Sequence, residues 1–320
     1  MRVALIGYGN VGKAFAHLLI DKKAMFPFRI VAIHTARHGT AYDSKGLDIE
    51  PAWEPPARSV DDFLDQAQPE VVIEVTTLNP KNGEPAISHI RSAIARHIHV
   101  ITANKGPIAH AYSVLQREAR TGQVEFRFES TVMDGTPIFS NMRNNLPGVA
   151  VNGFRGVLNS TSKIVLAAMQ RGMSMDEGIR EAQQMGIAEA DPWYDIDGWD
   201  SAAKAAALAN VLMDAETTPQ RVERRGLRDI DPQEPARLAN SGRTIQLVCS
   251  GERVNGAVRL QVRPEILQQT ELLAIDSGTS NLLLLDTDLM GTIGVVSINP
   301  GVQQTAYGLF SDLVDIAKSI

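Results

Sequence analysis

Several features that would assign a chain to a specialised class of protein are scarce or absent here. The 320 residues include one cysteine, Cys249, so no intramolecular disulfide and no zinc cluster of paired thiolates can form. No stretch reaches the roughly 18 consecutive apolar residues that span a bilayer. The apolar run at residues 3–6 breaks at Gly7, too early for a signal peptide. We therefore expect a soluble, cytoplasmic protein without a membrane partner.

The chain also lacks a basic excess. It carries 31 Lys and Arg residues against 37 Asp and Glu residues, which gives a formal net charge of −6. Nucleic-acid-binding proteins usually present a basic face, so this balance argues against a nucleic-acid partner. The apolar fraction of 44% is ordinary for a globular protein, and 320 residues are enough for two lobes with separate cores.

Short apolar strands alternate with amphipathic helices over the first 135 residues. Strands are predicted at residues 3–6, 28–33, 71–75, 99–102 and 124–129. Helices are predicted between them, including residues 85–96 and 109–120. This alternation of mostly apolar strands with helices predicts a parallel sheet that is covered on both faces.

The pattern changes after about residue 135. A strand is predicted at residues 153–158, helices at 162–171, 174–185 and 199–212, and strands at 245–249, 258–262 and 281–286. This order predicts an α+β lobe around an antiparallel or mixed sheet. Ser160 or Thr161 is expected to cap the helix that follows the first of these strands. Residues 217–237 are predicted to form a surface connection.

A glycine-rich turn, GYGNVG at residues 7–12, joins the first predicted strand to the first helix. The G-x-G-x-x-G spacing is a weak signal alone, but a strand before it and a helix after it supply the required context. The first glycine permits a tight turn, the second lets the backbone approach a pyrophosphate, and the third lets helix and strand pack closely. Amide groups at the helix start would hold the anion. The alternative is an ordinary glycine-rich turn.

These features predict an α/β fold with a Rossmann-type, doubly wound parallel sheet. We assign a dinucleotide-binding domain to residues 1–135, with a C-terminal helix at 303–320 packing back on it. A second α+β domain, for substrate binding and dimerisation, is assigned to residues 136–302. The predicted cofactor site contains Gly7, Gly9, Asn10, Val11, Gly12, Thr76 and Thr77.

The end of the second strand discriminates between the two nicotinamide cofactors. An acidic residue about 20 positions beyond the glycines would bind a ribose hydroxyl of NAD. Here the strand ends IHTARH, at residues 33–38, without a carboxylate. Arg37, with Thr35 and His38 beside it, could pair with the 2′-phosphate of NADP. We therefore predict NADP as the preferred cofactor and NAD as the second choice; the alternative is that Arg37 is a solvated loop cation.

Two lysines occupy positions suited to catalysis. Lys105 follows the fourth predicted strand, and ligands of open parallel sheets lie beyond the carboxyl ends of the strands. Lys204 and Asp200 are four residues apart in a helix of otherwise small and apolar residues, so they share one face and Lys204 is expected to be partly buried. Partial burial would suit Lys204 to acid/base work. The alternatives are a solvated charge at Lys105 and a surface ion pair between Asp200 and Lys204.

Together these segments resemble the homoserine dehydrogenase family. The similar segments are GYGNVG at 7–12, ANKGP at 103–107, ESTVMDGTP at 129–137, AEADPWYDIDGWDSAAK at 188–204 and, more weakly, INPGVQQTAYGLFSD at 298–312. The combination of AEADP with D-x-x-G-x-D-x-A-x-K is specific. The resemblance implies a homodimeric enzyme that interconverts L-homoserine and L-aspartate 4-semialdehyde with NAD(P), a reaction of threonine and methionine biosynthesis.

The resemblance also implies roles for individual residues. Lys105 and Lys204 would act as acid/base or polarising groups at the reacting carbonyl, and Asp200 would orient Lys204. Glu189 and Asp195 would bind the substrate ammonium. Asn159 and Thr161 would shape the substrate pocket. An aldehyde that gains a hydride develops negative charge on oxygen, which a nearby ammonium group stabilises and protonates.

Two further parts of the site are implied by the resemblance alone. Glu129, with backbone carbonyls around Val132, Asp134 and Thr136, resembles a loop that binds a monovalent cation, Na⁺ or K⁺. Gly301 would approach the nicotinamide, and Lys105 would contribute to the cofactor site as well as to catalysis.

Three positions depart from the family pattern. Ser160 stands where the family usually has glycine, and Met133 and Asp134 stand where it favours small residues. The second hypothesis is therefore a related NAD(P)-dependent dehydrogenase for another small hydroxy or amino acid. The third is a non-catalytic dinucleotide-binding protein, which the paired lysines and carboxylates disfavour.

Two further properties are not expected. A phosphorylating aldehyde dehydrogenase would need an activated cysteine, and Cys249 lies in an apolar run that suits a small core residue. The chain also ends before the C-terminal regulatory domain that some relatives carry. We therefore expect no feedback by threonine through such a domain, and potent threonine inhibition of the purified enzyme would contradict this.

Overall fold

The computed structural model describes residues 1–274 and 278–320, which divide into two compact units. One unit contains residues 1–141 and 301–320, and the other contains residues 142–300. No helix of the described residues combines the length and the apolar character that crossing a membrane would require.

The first unit is built on a six-stranded sheet with helices between its strands. Up to residue 145 the elements are β1 (Arg2–Ile6), α1 (Asn10–Lys22), β2 (Arg29–Thr35), β3 (Gly39–Tyr42), α2 (Val60–Ala67), β4 (Val71–Glu74), α3 (Ala86–Ile94), β5 (His99–Thr102), α4 (Lys105–Thr121), β6 (Phe126–Arg127) and α5 (Phe139–Asn145). The strand order is β3-β2-β1-β4-β5-β6, and neighbours are parallel except for β2 and β3. This topology confirms the predicted Rossmann-type architecture.

Two details of this sheet differ from the predictions. The edge strand β3 is antiparallel, because only residues 36–38 join it to β2 and a parallel neighbour would need a crossover of about a dozen residues. The strand predicted at 124–129 pairs only over Phe126–Arg127. It ends early because the amide of Glu129 donates to Asp312 Oδ2, at 2.8 Å, and Glu129–Thr131 turns into a 3₁₀ helix.

The second unit contains another six-stranded sheet, covered by helices on one side. Its elements are β7 (Val151–Val157), α6 (Ser160–Gln170), α7 (Met175–Gln184), α8 (Trp193–Ile196), α9 (Trp199–Leu212), β8 (Glu223–Arg224), α10 (Glu234–Ala239), β9 (Arg243–Val254), β10 (Ala257–Gln268), β11 (Asn281–Thr287) and β12 (Gly291–Ser297). The order is β12-β11-β7-β9-β10-β8. Strand β8 is parallel to β10 and the other pairs are antiparallel, which confirms the predicted mixed sheet.

Residues 217–237 are more than the surface connection that was predicted. Pro219 and Leu227 are buried, β8 joins the sheet, and α10 packs on α6 and β9. These contacts could not be predicted from the sequence, because the apolar residues of this stretch are isolated between charged ones and show no helical or strand period.

The last helix, α11 (Val302–Ser319), belongs to the first unit and packs on α1. Its buried face includes Leu309, Leu313 and Ile316, which share a core with Phe15 and Leu19 of α1. The helical spacing of these apolar residues explains why the helix buries one face and leaves the other polar.

Candidate active site

The glycine turn of the first unit has a shape that only glycine permits at its first position. Gly7 adopts φ +103°, its amide donates to His34 O at 2.9 Å, and a Cβ there would lie 2.5 Å from Val75 O. A Cβ on Gly12 would lie 3.1 Å from Gly7 O, so strand and helix approach closely. A Cβ on Gly9 would meet no atom within 4 Å. Open space therefore lies beside Gly9, as the close approach of a pyrophosphate to the backbone would require.

The start of α1 is suited to an anion. Gly9 caps the helix without a side-chain hydrogen bond, and the first turn, which contains Asn10, Val11 and Gly12, has no acidic residue. The positive end of the helix dipole is therefore not neutralised by a side chain of its own first turn. These features satisfy the requirements of the predicted phosphate-binding turn.

The turn after β2 carries an arginine and an aromatic contact. Thr35 Oγ1 accepts a hydrogen bond from the His38 amide at 2.8 Å, which closes the turn and leaves the Arg37 side chain exposed. The ring of His38 lies 5.5 Å from that of Trp53, and Trp53 makes an edge contact with Tyr8 of the glycine turn. Trp53 was not predicted to lie here, because it follows a stretch without a regular pattern.

A buried carboxylate links the carboxyl ends of β4 and β5. Glu74 is fully buried and accepts hydrogen bonds from the Thr76 amide at 2.9 Å and from Thr102 Oγ1 at 2.8 Å. Burial raises the pKa of Glu74, although these hydrogen bonds favour its charged form. Asn104 accepts from the Gly106 amide at 3.0 Å and thereby caps α4, whose first residue is the half-buried Lys105. In the sequence, Glu74 stands out only as the single polar residue of the apolar stretch at 71–75.

Thr76 and Thr77 continue from this edge. Asn104 Nδ2 donates to Thr76 O at 3.3 Å, so Thr76 is fixed beside the start of α4. The side chain of Thr77 is exposed. Both residues thus lie at the carboxyl edge of the sheet, the side on which open α/β sheets bind ligands.

The second unit contains a compact cluster of polar side chains from β7, α6, α8 and α9. Asn159 Nδ2 donates to Asp195 Oδ1 at 2.8 Å and to Asp200 Oδ2 at 3.0 Å. Thr161 Oγ1 donates to Asp195 Oδ2 at 2.7 Å. Lys204 Nζ lies 2.9 Å from Asp200 Oδ2 and donates to Leu158 O at 2.6 Å. Four predicted catalytic and substrate residues are thus joined to Lys204 in one network.

Burial and like charge set the electrostatics of this network. The side chains of Lys204 and Asp200 are 14% and 8% exposed, so their contact is not a solvated surface ion pair. Burial, and next the negative charge of Asp200, raise the pKa of Asp195. Burial and the carboxylates of Asp200 and Asp195 also raise the pKa of Tyr194, which was not predicted to belong to the site. The network therefore holds two carboxylates close to one ammonium group.

The cap of α6 differs from the prediction. Asn159, and neither Ser160 nor Thr161, caps the helix, because its side chain accepts from the Ser162 amide at 2.8 Å. Ser160 Oγ instead donates to Thr279 O at 3.1 Å, and Thr161 points to Asp195. An asparagine at this position also caps well, so the sequence alone did not separate the candidates.

Glu189 lies apart from the other acidic residues of its segment. It is exposed, and the hydrogen bonds of the described residues do not join it to the network around Asp195. Its backbone carbonyl accepts from Gln183 Nε2 at 3.1 Å.

The loop that resembles a cation site has its acidic side chain already engaged. The carboxylate of Glu129 accepts hydrogen bonds from the amides of Ile138, Phe139 and Ser140 at 2.6, 2.9 and 2.6 Å. Asp134 has φ +51°, so the chain reverses sharply at this point. Among the described residues, no group of three or more His, Cys, Asp or Glu side chains is arranged to hold a metal.

Gly301 and Cys249 complete the predicted residues. Gly301 caps α11, and its amide donates to Gln304 Oε1 at 3.0 Å. Cys249 is fully buried in β9, and burial raises the pKa of its thiol to about 12. The thiol is therefore a small core group rather than a nucleophile.

A Rossmann-type sheet with a dinucleotide-binding glycine turn and a lysine–carboxylate network define the class of NAD(P)-dependent oxidoreductases. Comparison with known proteins gives the family. Residues 137–314 match the model of homoserine dehydrogenase, and residues 7–129 match that of the homoserine dehydrogenase NAD binding domain. The chain belongs to the homoserine dehydrogenase family, as the sequence motifs predicted.

Relatives and solved structures agree over the whole chain. The homoserine dehydrogenase of Methanocaldococcus jannaschii is 35% identical, over 100% of this chain and 99% of the relative. The NAD(+)-dependent homoserine dehydrogenase of Pseudomonas canavaninivorans is 33% identical, over 99% and 96%. A hyperthermophilic archaeal homoserine dehydrogenase mutant, solved with NADPH, superposes with a TM-score of 0.85 at 27% identity, over 100% of this chain and 98% of that one. These matches confirm the predicted fold.

Proposed function

We propose that this protein interconverts L-homoserine and L-aspartate 4-semialdehyde with a nicotinamide dinucleotide. The observation that carries the proposal is the network in which Lys204 meets Asp200, Asn159 and, through Asn159, Asp195. It supplies one proton donor and two carboxylates within a few ångströms, as reduction of an amino aldehyde requires.

Lys204 acts on the oxygen of the substrate. In the reducing direction the bound dinucleotide supplies the hydride to the aldehyde carbon. The ammonium of Lys204 stabilises the negative charge that develops on oxygen and donates the proton that completes the alcohol. Asp200 orients Lys204 through their 2.9 Å contact. In the oxidising direction, neutral Lys204 accepts the same proton. Lys105, at the start of α4, is proposed as a second polarising group.

Asp195 binds the substrate ammonium. Its carboxylate already receives two hydrogen bonds, from Asn159 and Thr161, and lies close enough to Asp200 for their charges to repel. A bound ammonium group relieves this repulsion. Glu189, from the same segment, is proposed to assist once substrate is bound.

The direct test is a rate measurement with purified protein. NADPH oxidation should be fastest with L-aspartate 4-semialdehyde in a panel that also contains succinate semialdehyde, which lacks the amino group. Fast turnover of a different hydroxy or keto compound, with none of the amino aldehyde, would favour the related dehydrogenase that departures such as Ser160 leave open.

We also propose a preference for NADP, which rests on the exposed Arg37 beside the closed turn of Thr35 and His38. A 2′-phosphate suits the guanidinium fork. Arg37→Ala should raise KM for NADPH roughly ten- to 100-fold and leave KM for NADH unchanged, since a charge-assisted contact contributes about 1.5–3 kcal/mol. An unchanged ratio of the two values would remove the assignment.

A monovalent cation is proposed to bind the loop around Asp134. Because the Glu129 carboxylate is occupied by three amides, backbone carbonyls at Val132, Asp134 and Thr136 would be its ligands. Activity in KCl or NaCl should exceed activity in tetramethylammonium chloride of equal ionic strength. Equal activity in all three salts would contradict the proposal.

A homodimer is proposed to form through the open face of the second sheet. Helices α6 and α9 pack on β9, whereas Arg155, Glu252 and Arg263 line a shallow depression on the sheet. Light scattering after size exclusion should give twice the chain mass of 34.8 kDa. Arg155→Glu should shift the protein towards monomer, and a monomeric wild type would contradict the proposal.

The enzyme is proposed to work in the cytoplasm, which its single buried thiol suits.

A further inference from the structure

The segment at residues 223–228 packs against the acidic segment that carries Asp195 and Asp200. We call residues 223–228 the clasp. It begins with β8, which pairs with β10, and the amide of Arg225 donates to Val262 O at 2.7 Å. The clasp is therefore anchored to the sheet.

Two arginines of the clasp stack on the two tryptophans of the acidic segment. The guanidinium carbon of Arg224 lies 3.9 Å from the ring centre of Trp199, and that of Arg228 lies 3.8 Å from the ring centre of Trp193. Trp193 is 37% exposed, so its contact with Arg228 contributes less than a cation–π contact from which water is excluded. The spacing of both pairs is at the close end of the range for such contacts.

The same two arginines bind Asp197, which lies between the tryptophans. Arg228 Nε donates to Asp197 Oδ1 at 2.5 Å and its Nη2 donates to Oδ2 at 2.9 Å, a bidentate pair. Arg224 Nη1 donates to the backbone carbonyl of Asp197. Asp197 is thus an anchor for the clasp, although its place among the acidic residues resembles that of a substrate ligand.

The two backbones also touch directly. The Leu227 amide donates to Ile196 O at 2.9 Å. A Cβ on Gly226 would lie 2.5 Å from Ile196 O and 2.6 Å from Asp197 Cα, so only glycine fits. Gly198 turns with φ +80° between α8 and α9. The main chain at residues 196–198 is therefore held against the clasp without space for adjustment.

The residues that bind the clasp are interspersed along the chain with those that bind the polar network. Trp193, Asp197 and Trp199 face the clasp, whereas Asp195 and Asp200 face Asn159. The two inward carboxylates repel each other, since the charge of Asp200 raises the pKa of Asp195. The contacts of the clasp with Trp193, Asp197 and Trp199 oppose movement of these two carboxylates away from each other.

We propose that Arg224 and Arg228 are positioning residues, which hold Asp195 and Asp200 at the separation that lets Asp195 bind the substrate ammonium while Asp200 orients Lys204. The proposal rests on the proposed function, because that function assigns the substrate ammonium to Asp195. Neither arginine touches the reacting atoms. Their effect reaches the substrate through the backbone at residues 193–199.

The test compares steady-state constants of Arg224→Ala and Arg228→Ala with those of Arg237→Ala. Arg237 forms an ion pair with Asp231 outside the clasp, and its side chain is more exposed than that of Arg228, at 64% against 51%. We expect KM for L-homoserine to rise roughly tenfold in the clasp variants, because a displacement of about 1 Å at a substrate contact is costly. KM for the dinucleotide should stay within about twofold, and Arg237→Ala should match wild type.

Conservative variants separate positioning from mere stability. Trp193→Phe keeps a ring under Arg228 and should restore KM, whereas Trp193→Ala should resemble Arg228→Ala. Arg228→Lys keeps the charge without the planar fork and should rescue only in part. The double variant Arg228→Ala/Trp193→Ala should cost less than the sum of the single changes.

The outcomes distinguish the proposal from the function on which it rests. A wild-type protein that does not turn over homoserine would sink both. An active wild type whose clasp variants lower the Tm but keep KM for homoserine would overturn the positioning role alone. A parallel rise of KM for homoserine and for the dinucleotide would also overturn it, because the damage would then be general.

Discussion

At the scale of single residues, Lys204 shows how a helix of small side chains creates a chemical site. Alanines surround it on α9, so the side chain lies against Asp200 and Leu158 O instead of extending into water. In the proposed mechanism, a lysine held in this way donates its proton to the substrate oxygen from a fixed position. The same residue in a solvated helix would sample many rotamers and donate poorly.

We expect Lys204→Ala to lower kcat by about 10²-fold or more, the usual contribution of a general acid. Lys22→Ala, on the exposed end of α1, serves as the control and should leave kcat unchanged. The measurement is the initial rate of homoserine oxidation at saturating concentrations of both substrates. A near-wild-type kcat for Lys204→Ala would refute its role.

We expect ionised Asp195 to lower the stability of the folded protein, while it provides the carboxylate that binds the substrate ammonium. Its pKa is raised in the folded protein, so the folded state holds the proton more tightly than the unfolded chain. The ionised side chain therefore lowers stability at pH 7, and this penalty disappears as the pH falls to the unfolded value of about 4.

Asp195→Asn should consequently raise the Tm at pH 7 while raising KM for homoserine. The gain in Tm should shrink as the pH is lowered towards 4, where Asp195 itself becomes neutral. Thermal unfolding of both proteins at several pH values checks the sign. A lower Tm at pH 7, or a gain that grows on acidification, would contradict this account of the site.

At the scale of elements, the β1–α1 turn contains one glycine that the fold requires, Gly7, and one that ligand binding requires, Gly9. Gly7→Ala places a Cβ 2.5 Å from Val75 O at φ +103°, and such strain costs about 1–3 kcal/mol. Gly9→Ala meets no protein atom, so its Tm should fall less. Its dinucleotide affinity should drop roughly tenfold, about 1.4 kcal/mol, because the methyl group occupies the space of the pyrophosphate.

Fluorescence titration with NADPH and thermal unfolding measure the two effects separately. Gly148→Ala is the matched control, since a Cβ there meets nothing within 4 Å and the residue lies outside the turn. Its positive φ makes it a control for backbone strain. Undiminished affinity in Gly9→Ala would show that the phosphate does not bind at this turn.

Elements with their own periodic pattern were predicted well, and those defined by distant partners were not. Helix α9 spans Trp199–Leu212, the predicted bounds, because small and apolar residues make up most of it and neither glycine nor proline interrupts it. Strand β6 and the stretch at 217–237 were misjudged, since Asp312 and the sheet decide their structure from far along the chain. The clasp is invisible in sequence because each of its charged residues resembles an ordinary surface residue.

At the scale of the whole molecule, the candidate residues could be named from motifs, but their partners could not. Asn159 and Asp195 are 36 positions apart, and only the packing of α6 against α8 joins them. The roles of Asn159 as helix cap and of Glu74 as a link between strands likewise depend on tertiary contacts. Motif similarity identifies the chemistry, whereas the folded units decide which groups share it.

The central claim is that the dinucleotide transfers a hydride to the carbonyl carbon of an amino aldehyde bound by this protein. Mass spectrometry of the product formed from [4,4-²H₂]NADPH and L-aspartate 4-semialdehyde tests it most directly. The account predicts homoserine that carries one deuterium, on the carbon bearing the new hydroxyl group. Oxidation of NADPH without labelled homoserine would contradict the account.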